Sequence, residues 1–83
     1  MKCIEITSFS AVRNGKSDPW NHAETWAFKD GLFRFYTRIN GNTMSNQYYK
    51  IEALDNDKNV IKSYKVKPKD GYKHVDELKE LLW

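Results

Sequence analysis

From Leu32 to Ile39 the chain alternates. Phe33, Phe35, Thr37 and Ile39 fall on one parity, and Arg34, Tyr36 and Arg38 on the other. A two-residue period marks an extended strand with one dry and one wet face, because successive side chains point to opposite sides of a sheet. Residues 47–55 repeat it, with Tyr49, Ile51 and Ala53 on one parity. Residues 60–67 follow after the polar turn Asp55-Asn56-Asp57-Lys58-Asn59, and Pro68, which has no amide to give a ladder, stops them. Asn40-Gly41-Asn42 turns the chain between the first two of these strands. Strands joined by turns this short must run antiparallel, since a parallel connection needs a long crossover.

Upstream, residues 2–13 read as another strand. Ile4 and Ile6 alternate with Glu5 and Thr7, but Phe9 and Ala11 lie on the opposite parity, which predicts a bulge near Ser8. Asn14-Gly15 ends the strand, and residues 14–22 are rich in turn formers. Residues 19–29 admit two forms. As a strand, residues 25–29 put Trp26 and Phe28 on one face, with Asp30-Gly31 as a hairpin turn. As an additional helix, Asp18 caps, Pro19 takes the first position, Gly31 terminates, and Trp20, Ala23, Trp26 and Ala27 share a face. Asn21, His22, Thr25, Trp26 and Phe28 are mediocre helix formers, which favours the strand. At the end of the chain Val75, Leu78, Leu81 and Leu82 recur at helical spacing. Asp76 and Glu77 suit the first turn, and Asp70 or His74 is placed to cap it. The expected fold is α+β, mainly β: an antiparallel meander of about four to five strands with one C-terminal amphipathic helix.

Eighty-three residues make a single domain, 1–83, near the lower limit for folding without staples. Hydrophobic residues at 40% supply a modest core, and charges of mixed sign at 30% argue against general disorder. The net charge of +3 excludes an acidic mimic of DNA. Cys3 is the only cysteine, so no internal disulfide can form. Glu5 interrupts any signal-peptide core, and no apolar run approaches the ~20 residues that span a membrane. These features predict a cytoplasmic protein.

Several chemistries are weighed and set aside. Gly15-Lys16-Ser17 looks like the end of a phosphate-binding loop, but Ser10 stands where that motif needs glycine, and Asp18-Pro19 follows where a helix should begin. His22, His74 and Cys3 are not paired at metal-ligand spacing, and Asp18, His22 and Glu24 form no recognised ligand pattern. No serine is marked as a nucleophile, so no catalytic residue, cofactor or metal is expected. Cys3 reads as a small apolar filler rather than a reactive thiol. The strongest electrostatic signal is Lys58, Lys62, Lys65, Lys67, Lys69 and Lys73 against Asp70 alone, with Tyr64 and Tyr72 interleaved. Such a strip either contacts phosphates or guards the edge of a sheet.

Dimensions decide what this fold leaves uncovered. A helix of about nine residues is ~14 Å long, whereas five strands span roughly 20–24 Å. The helix therefore covers part of one face only. Phe33, Phe35, Ile39, Tyr49 and Ile51 are the more apolar set and are expected to meet Val75, Leu78, Leu81 and Leu82. The other face then carries Arg34, Tyr36, Arg38, Tyr48 and Lys50, with Trp20 nearby. Tyr, Trp and Arg are the residues that most often anchor protein interfaces. The expected function is a non-enzymatic binding module whose partner is a larger protein or complex. In size and character only, the chain resembles phage-encoded inhibitors of host or defence complexes, anti-CRISPR proteins among them. The alternative is nucleic-acid binding through the basic and aromatic sheet face, with Lys62, Lys65, Lys67, Lys69 and Lys73 on phosphates. A homodimer through the uncovered face is the third possibility.

Overall fold

A computed structural model of the chain describes residues 1–39, 46–67 and 74–82. Five antiparallel strands lie side by side in sequence order: β1 (Lys2–Arg13), β2 (Lys16–Phe28), β3 (Gly31–Ile39), β4 (Asn46–Leu54) and β5 (Val60–Lys65). One helix follows, α1 (Val75–Lys79), continued by a 3₁₀ turn over Glu80–Leu82. This is the meander with a terminal helix that the periodicities predict, and residues 19–29 do not form a helix. The expected turn at 40–42, the stop at Pro68 and the cap at Asp70 lie outside the described residues.

The turns show why the chain reverses where it does. Asn14 and Gly15 both take positive φ, 52° and 74°, and close the hairpin between paired Arg13 and Lys16. Two left-handed residues in a two-residue loop match the right-handed twist of the strands on either side. The expected loop at 14–22 is thereby reduced to two residues, and Lys16 and Ser17 already belong to β2. No helix starts at Lys16, so the glycine there serves a turn and not a phosphate. The next reversal is Lys29-Asp30, one residue earlier than expected: Phe28 pairs with Gly31, whose φ of 150° only glycine adopts readily. Between β4 and β5, Asp55 Oδ1 accepts the amides of Asp57 (2.9 Å) and Asn59 (2.8 Å). A side chain that satisfies two turn amides holds the loop closed.

Register fixes which side chains share a face. On one side run the rows Cys3–Trp26–Phe33–Ala53–Lys62, Ile6–Glu24–Phe35–Ile51–Tyr64 and Ser8–His22–Thr37–Tyr48. On the other run Glu5–Thr25–Arg34–Glu52–Ser63, Thr7–Ala23–Tyr36–Lys50–Lys65 and Phe9–Asn21–Arg38–Gln47. The helix packs on the first. Val75 and Leu78 join Phe33, Phe35, Ile51, Ala53 and Val66 in the buried core, with Trp26, Phe28, Tyr48, Leu81 and Leu82 at its margin. Phe28 meets Phe33 edge-on at 5.3 Å, a favoured aromatic geometry. His74 occupies the helix N-cap, but its side chain makes no capping bond. Lys79 anchors the other end, 3.2 Å from Asp30 and 4.9 Å above the ring of Phe28.

Two expectations about the strands are corrected. No bulge lies at Ser8, because Thr7, Ser8 and Phe9 pair in unbroken register with Ala23, His22 and Asn21. The irregularities fall at Ile4 and opposite Ser10, where β2 sets two residues, Pro19 and Trp20, against one. β1 therefore keeps one phase from Glu5 onward and puts apolar groups on both faces. The second correction is at β4. Tyr36 pairs with Lys50 but Thr37 pairs with Tyr48, so Tyr49 is a bulged residue. One extra residue exchanges the faces on one side of it, here those of Gln47 and Tyr48 before the bulge. Tyr48, expected beside Arg34 and Tyr36, instead lies 6.3 Å from Phe35 on the helix side. Tyr49, expected under the helix, joins the opposite face 6.3 Å from Tyr36. Ile39 is not part of the core cluster.

Candidate functional site

The face away from the helix is built from β1 to β4 and carries two linked polar clusters. In the first, Glu52 is the node. Its Oε1 accepts the Tyr36 hydroxyl at 2.7 Å and lies 3.6 Å from Arg34, and its Oε2 is 3.3 Å from Lys50. Arg34 Nε also donates to Thr25 Oγ1 at 3.5 Å. The Lys50 ammonium lies 5.1 Å above the Tyr36 ring, close enough for a cation–π attraction. Glu52 is buried, whereas Arg34 and Lys50 are partly exposed. A buried carboxylate surrounded by three donors is compensated, and the arrangement fixes the rotamers of Tyr36 and Arg34.

The second cluster is centred on Asp18. Arg38 Nε donates to Asp18 Oδ2 at 2.6 Å, and Oδ1 accepts the Trp20 amide at 3.1 Å. The hydrogen bond from Arg38 holds the Asp18 carboxyl below its ordinary range, with the Trp20 amide as the next cause. Asn21 bridges the cluster to β4, donating from Nδ2 to the Asp18 carbonyl at 3.0 Å and accepting the Tyr49 hydroxyl at 3.1 Å. Burial, followed by the hydrogen bond to Glu52, raises the Tyr36 phenol above its usual value, and burial raises that of Tyr49. Both remain neutral donors at physiological pH.

Between and beside these clusters the surface is hollow. A cleft of about 300 Å³ is lined by Ala11, Arg13, Asn21, Arg38 and Tyr49 among others. A second, of about 280 Å³, lies among Glu5, Phe9, Arg34 and Tyr36. Ala23 is the small residue between β1 and β3 that lets the Phe9 ring reach Tyr36, 6.0 Å away and edge-on. A shallower depression brings Arg38 together with Arg13 and Trp20. Lys58, in the turn after β4, reaches Glu5 on β1 at 3.0 Å. A contact between elements separated by two strands shows that the sheet bends toward this side.

The sequence-derived candidates divide accordingly. Arg34, Tyr36, Arg38 and Lys50 share this face, Trp20 stands half exposed at its margin on the β2 bulge, and Tyr48 is turned away, with its hydroxyl on Glu24 at 3.0 Å. Burial raises the Tyr48 phenol far above its usual value. Both arginines are paired, with side chains 24% exposed at Arg34 and 26% at Arg38. Their partners Glu52 and Asp18, and the bridge Asn21–Tyr49, carry no local signal. Only knowledge of which residue lies opposite Arg34 would reveal Glu52.

The described part of the lysine strip does not form one surface. Lys65 lies opposite Lys50 on the open face, Lys62 opposite Ala53 on the helix face, and Lys67 beyond the end of β5. Lys69 and Lys73 lie outside the described residues. β5 is the edge of the sheet, the position at which lysines deter pairing with other chains. Asp18 faces away from His22 and Glu24, which point to the helix side with His22 Nε2 3.6 Å from Glu24. No group of metal-ligating side chains gathers among the described residues. No helix among them is long and apolar enough to cross a membrane. Comparison with protein-family models, curated proteins and solved structures gives no match to the chain. Function is therefore read from the geometry of this face.

Proposed function

We propose that the chain is a non-enzymatic binding module that docks a larger protein on its open face. The observation that carries this is the state of its anchors. Trp20 is half exposed in the same depression as Arg38, and Arg34, Tyr36 and Arg38 are already held by Glu52 and Asp18. Anchors of these types dominate interface energies when they enter fitted pockets. Anchors whose rotamers are set before contact lose less entropy on binding. The charges favour a protein over a polyanion here, because Glu52 and Asp18 already neutralise part of the cationic set.

The test is affinity capture from a lysate of the native source with the tagged chain, with and without nuclease. Trp20→Ala is the variant of choice, since the indole is exposed and its loss leaves the core untouched; circular dichroism checks that it folds. A nuclease-resistant protein complex that Trp20→Ala reduces at least about tenfold supports docking on this face. Retention that disappears with nuclease supports nucleic-acid binding instead. A protein complex indifferent to Trp20→Ala and to Arg38→Ala places the interface elsewhere.

A further inference from the structure

The two edges of the sheet are unlike. β5 is six residues long and carries Lys62 and Lys65. β1 is twelve residues long, and from Ile6 to Val12 it has no charged side chain. Among the described residues it pairs with β2 on one side only. Every second residue of such a strand presents an amide and a carbonyl outward, which is a template for another strand. Within residues 5–13 there is no proline and no bulge on β1 itself, since the bulge at Ile4 lies just outside and the bulge opposite Ser10 is on β2; the charges are confined to the two ends, Glu5 and Arg13.

Reversed about Phe9, this edge sets small residues against small, an aliphatic against an aliphatic, and opposite charges at its ends. About Phe9, Ser8 mirrors Ser10, Thr7 mirrors Ala11, Ile6 mirrors Val12, and Glu5 mirrors Arg13. We infer that β1 is a homodimerisation edge, on which a second copy of this chain docks its own β1 antiparallel across a two-fold axis at Phe9. In that register Glu5 of each copy, whose Oε2 also holds Lys58 at 3.0 Å, lies opposite Arg13 of the other, so the only two charges in the segment are complementary at both ends. Ile6 lies opposite Val12. Both point to the helix side of the sheet, and they are 64% and 83% exposed in the single chain, which is costly for large aliphatic groups. Cross-strand pairing covers them reciprocally.

The backbone agrees with this register. Residues of even number meet residues of even number, and odd meet odd, so the outward amides of one copy meet outward carbonyls of the other whichever set faces away from β2. Nine paired residues supply about eight to ten hydrogen bonds over ~27 Å. A two-fold axis perpendicular to the sheet keeps each face continuous across the junction, so Glu5 and Arg13 meet on the open face and the aliphatic pairs on the helix face. The contact is isologous, which closes at two copies and leaves the lysine-bearing β5 edges outermost. This edge borders the docking face proposed above, since Arg13 and Glu5 also line clefts there, but the inference does not depend on that reading.

Sedimentation equilibrium across a dilution from about 1 mM to about 1 µM tests the inference. The expected result is a mass that falls from twice 9.8 kDa to 9.8 kDa as the protein is diluted. Ile6→Lys alone and Val12→Glu alone each weaken association by about tenfold or more, since each substitution enters the two-fold interface twice. Ile6→Lys with Val12→Glu in one chain restores it, because the two new charges then face each other across the axis. Both sites are exposed in the single chain, so each variant folds, and circular dichroism verifies this. A chain that stays monomeric at the highest concentration overturns the inference. So does a dimer that ignores both single substitutions, or a double variant no stronger than either single one.

Discussion

Thr25 and Thr37 offer a comparison in which nearly everything but hydrogen bonding is held constant. Both lie mid-strand, at 2% and 0% exposure, and both can be replaced by valine, which has the same shape and an equal fitness for strands. Thr25 Oγ1 accepts a hydrogen bond from Arg34 Nε at 3.5 Å. Thr37 Oγ1, on the helix side of the sheet, is buried with no hydrogen-bond partner among the described residues. An unsatisfied buried hydroxyl costs about 1–3 kcal/mol, and removing it with its shape preserved recovers that cost. Thr37→Val is therefore expected to stabilise the domain by about 1 kcal/mol or more, whereas Thr25→Val is neutral or destabilising by up to about 1 kcal/mol. For a domain of this size each kcal/mol moves Tm by about 4–8 °C. Thermal and urea unfolding of the three proteins, followed by circular dichroism, measure the difference, with an unchanged m-value as the check that only stability moved. If Thr37→Val destabilises as much as Thr25→Val, the Thr37 hydroxyl is satisfied and the reasoning is refuted.

Leu78 is the fully buried residue of α1, and Leu78→Ala is expected to lower unfolding free energy by about 2–5 kcal/mol; a loss under about 0.5 kcal/mol in urea titration, typical of surface substitutions, means that the helix does not hold the core. The pH response follows from shifted groups at both ends of the scale. Glu5, Asp18, Asp30 and Asp55 are held below their ordinary values chiefly by hydrogen bonds from Lys58, Arg38, Lys79 and the Asn59 amide, respectively. The folded chain then binds fewer protons than the unfolded one. This stabilisation is complete above the unfolded values of 4.5 for Glu and 3.8 for Asp and is lost as pH falls through the lower folded values. Tyr36, Tyr48 and Tyr49 are raised above 10.0 chiefly by burial, so their contribution is whole below that pH and disappears as pH rises through the folded values. Urea midpoints should be level between about pH 5 and pH 9 and decline on both sides; a steady decline from pH 7 toward pH 5 contradicts the assignment.

Much of the fold was legible before any coordinates. The alternation of residues 32–39, the polar loop at 55–59 and the spacing of Val75, Leu78 and Leu81 each report a local period, and local periods survive in the sequence because one buried face imposes them. The strand over residues 16–22 was not legible. Its Asp, Pro and Asn residues resemble a loop, and they are tolerated because Pro19 and Trp20 form a bulge while Asp18 and Asn21 find partners on β3 and β4. Propensity yielded to tertiary pairing there.

The candidate site divides along the same line. Sequence alone determined that one face would hold Arg34, Tyr36 and Arg38, because residues two apart on a strand must share a side. It could not determine that Tyr49 rather than Tyr48 stands beside them, nor that Glu52 and Asp18 hold them in place. A single extra residue in β4 reverses facing on one side of it, and whether it forms depends on the pairing of distant segments, which no local pattern encodes. Periodicity is a property of one strand, but register belongs to two, and the chemistry of this surface resides in register.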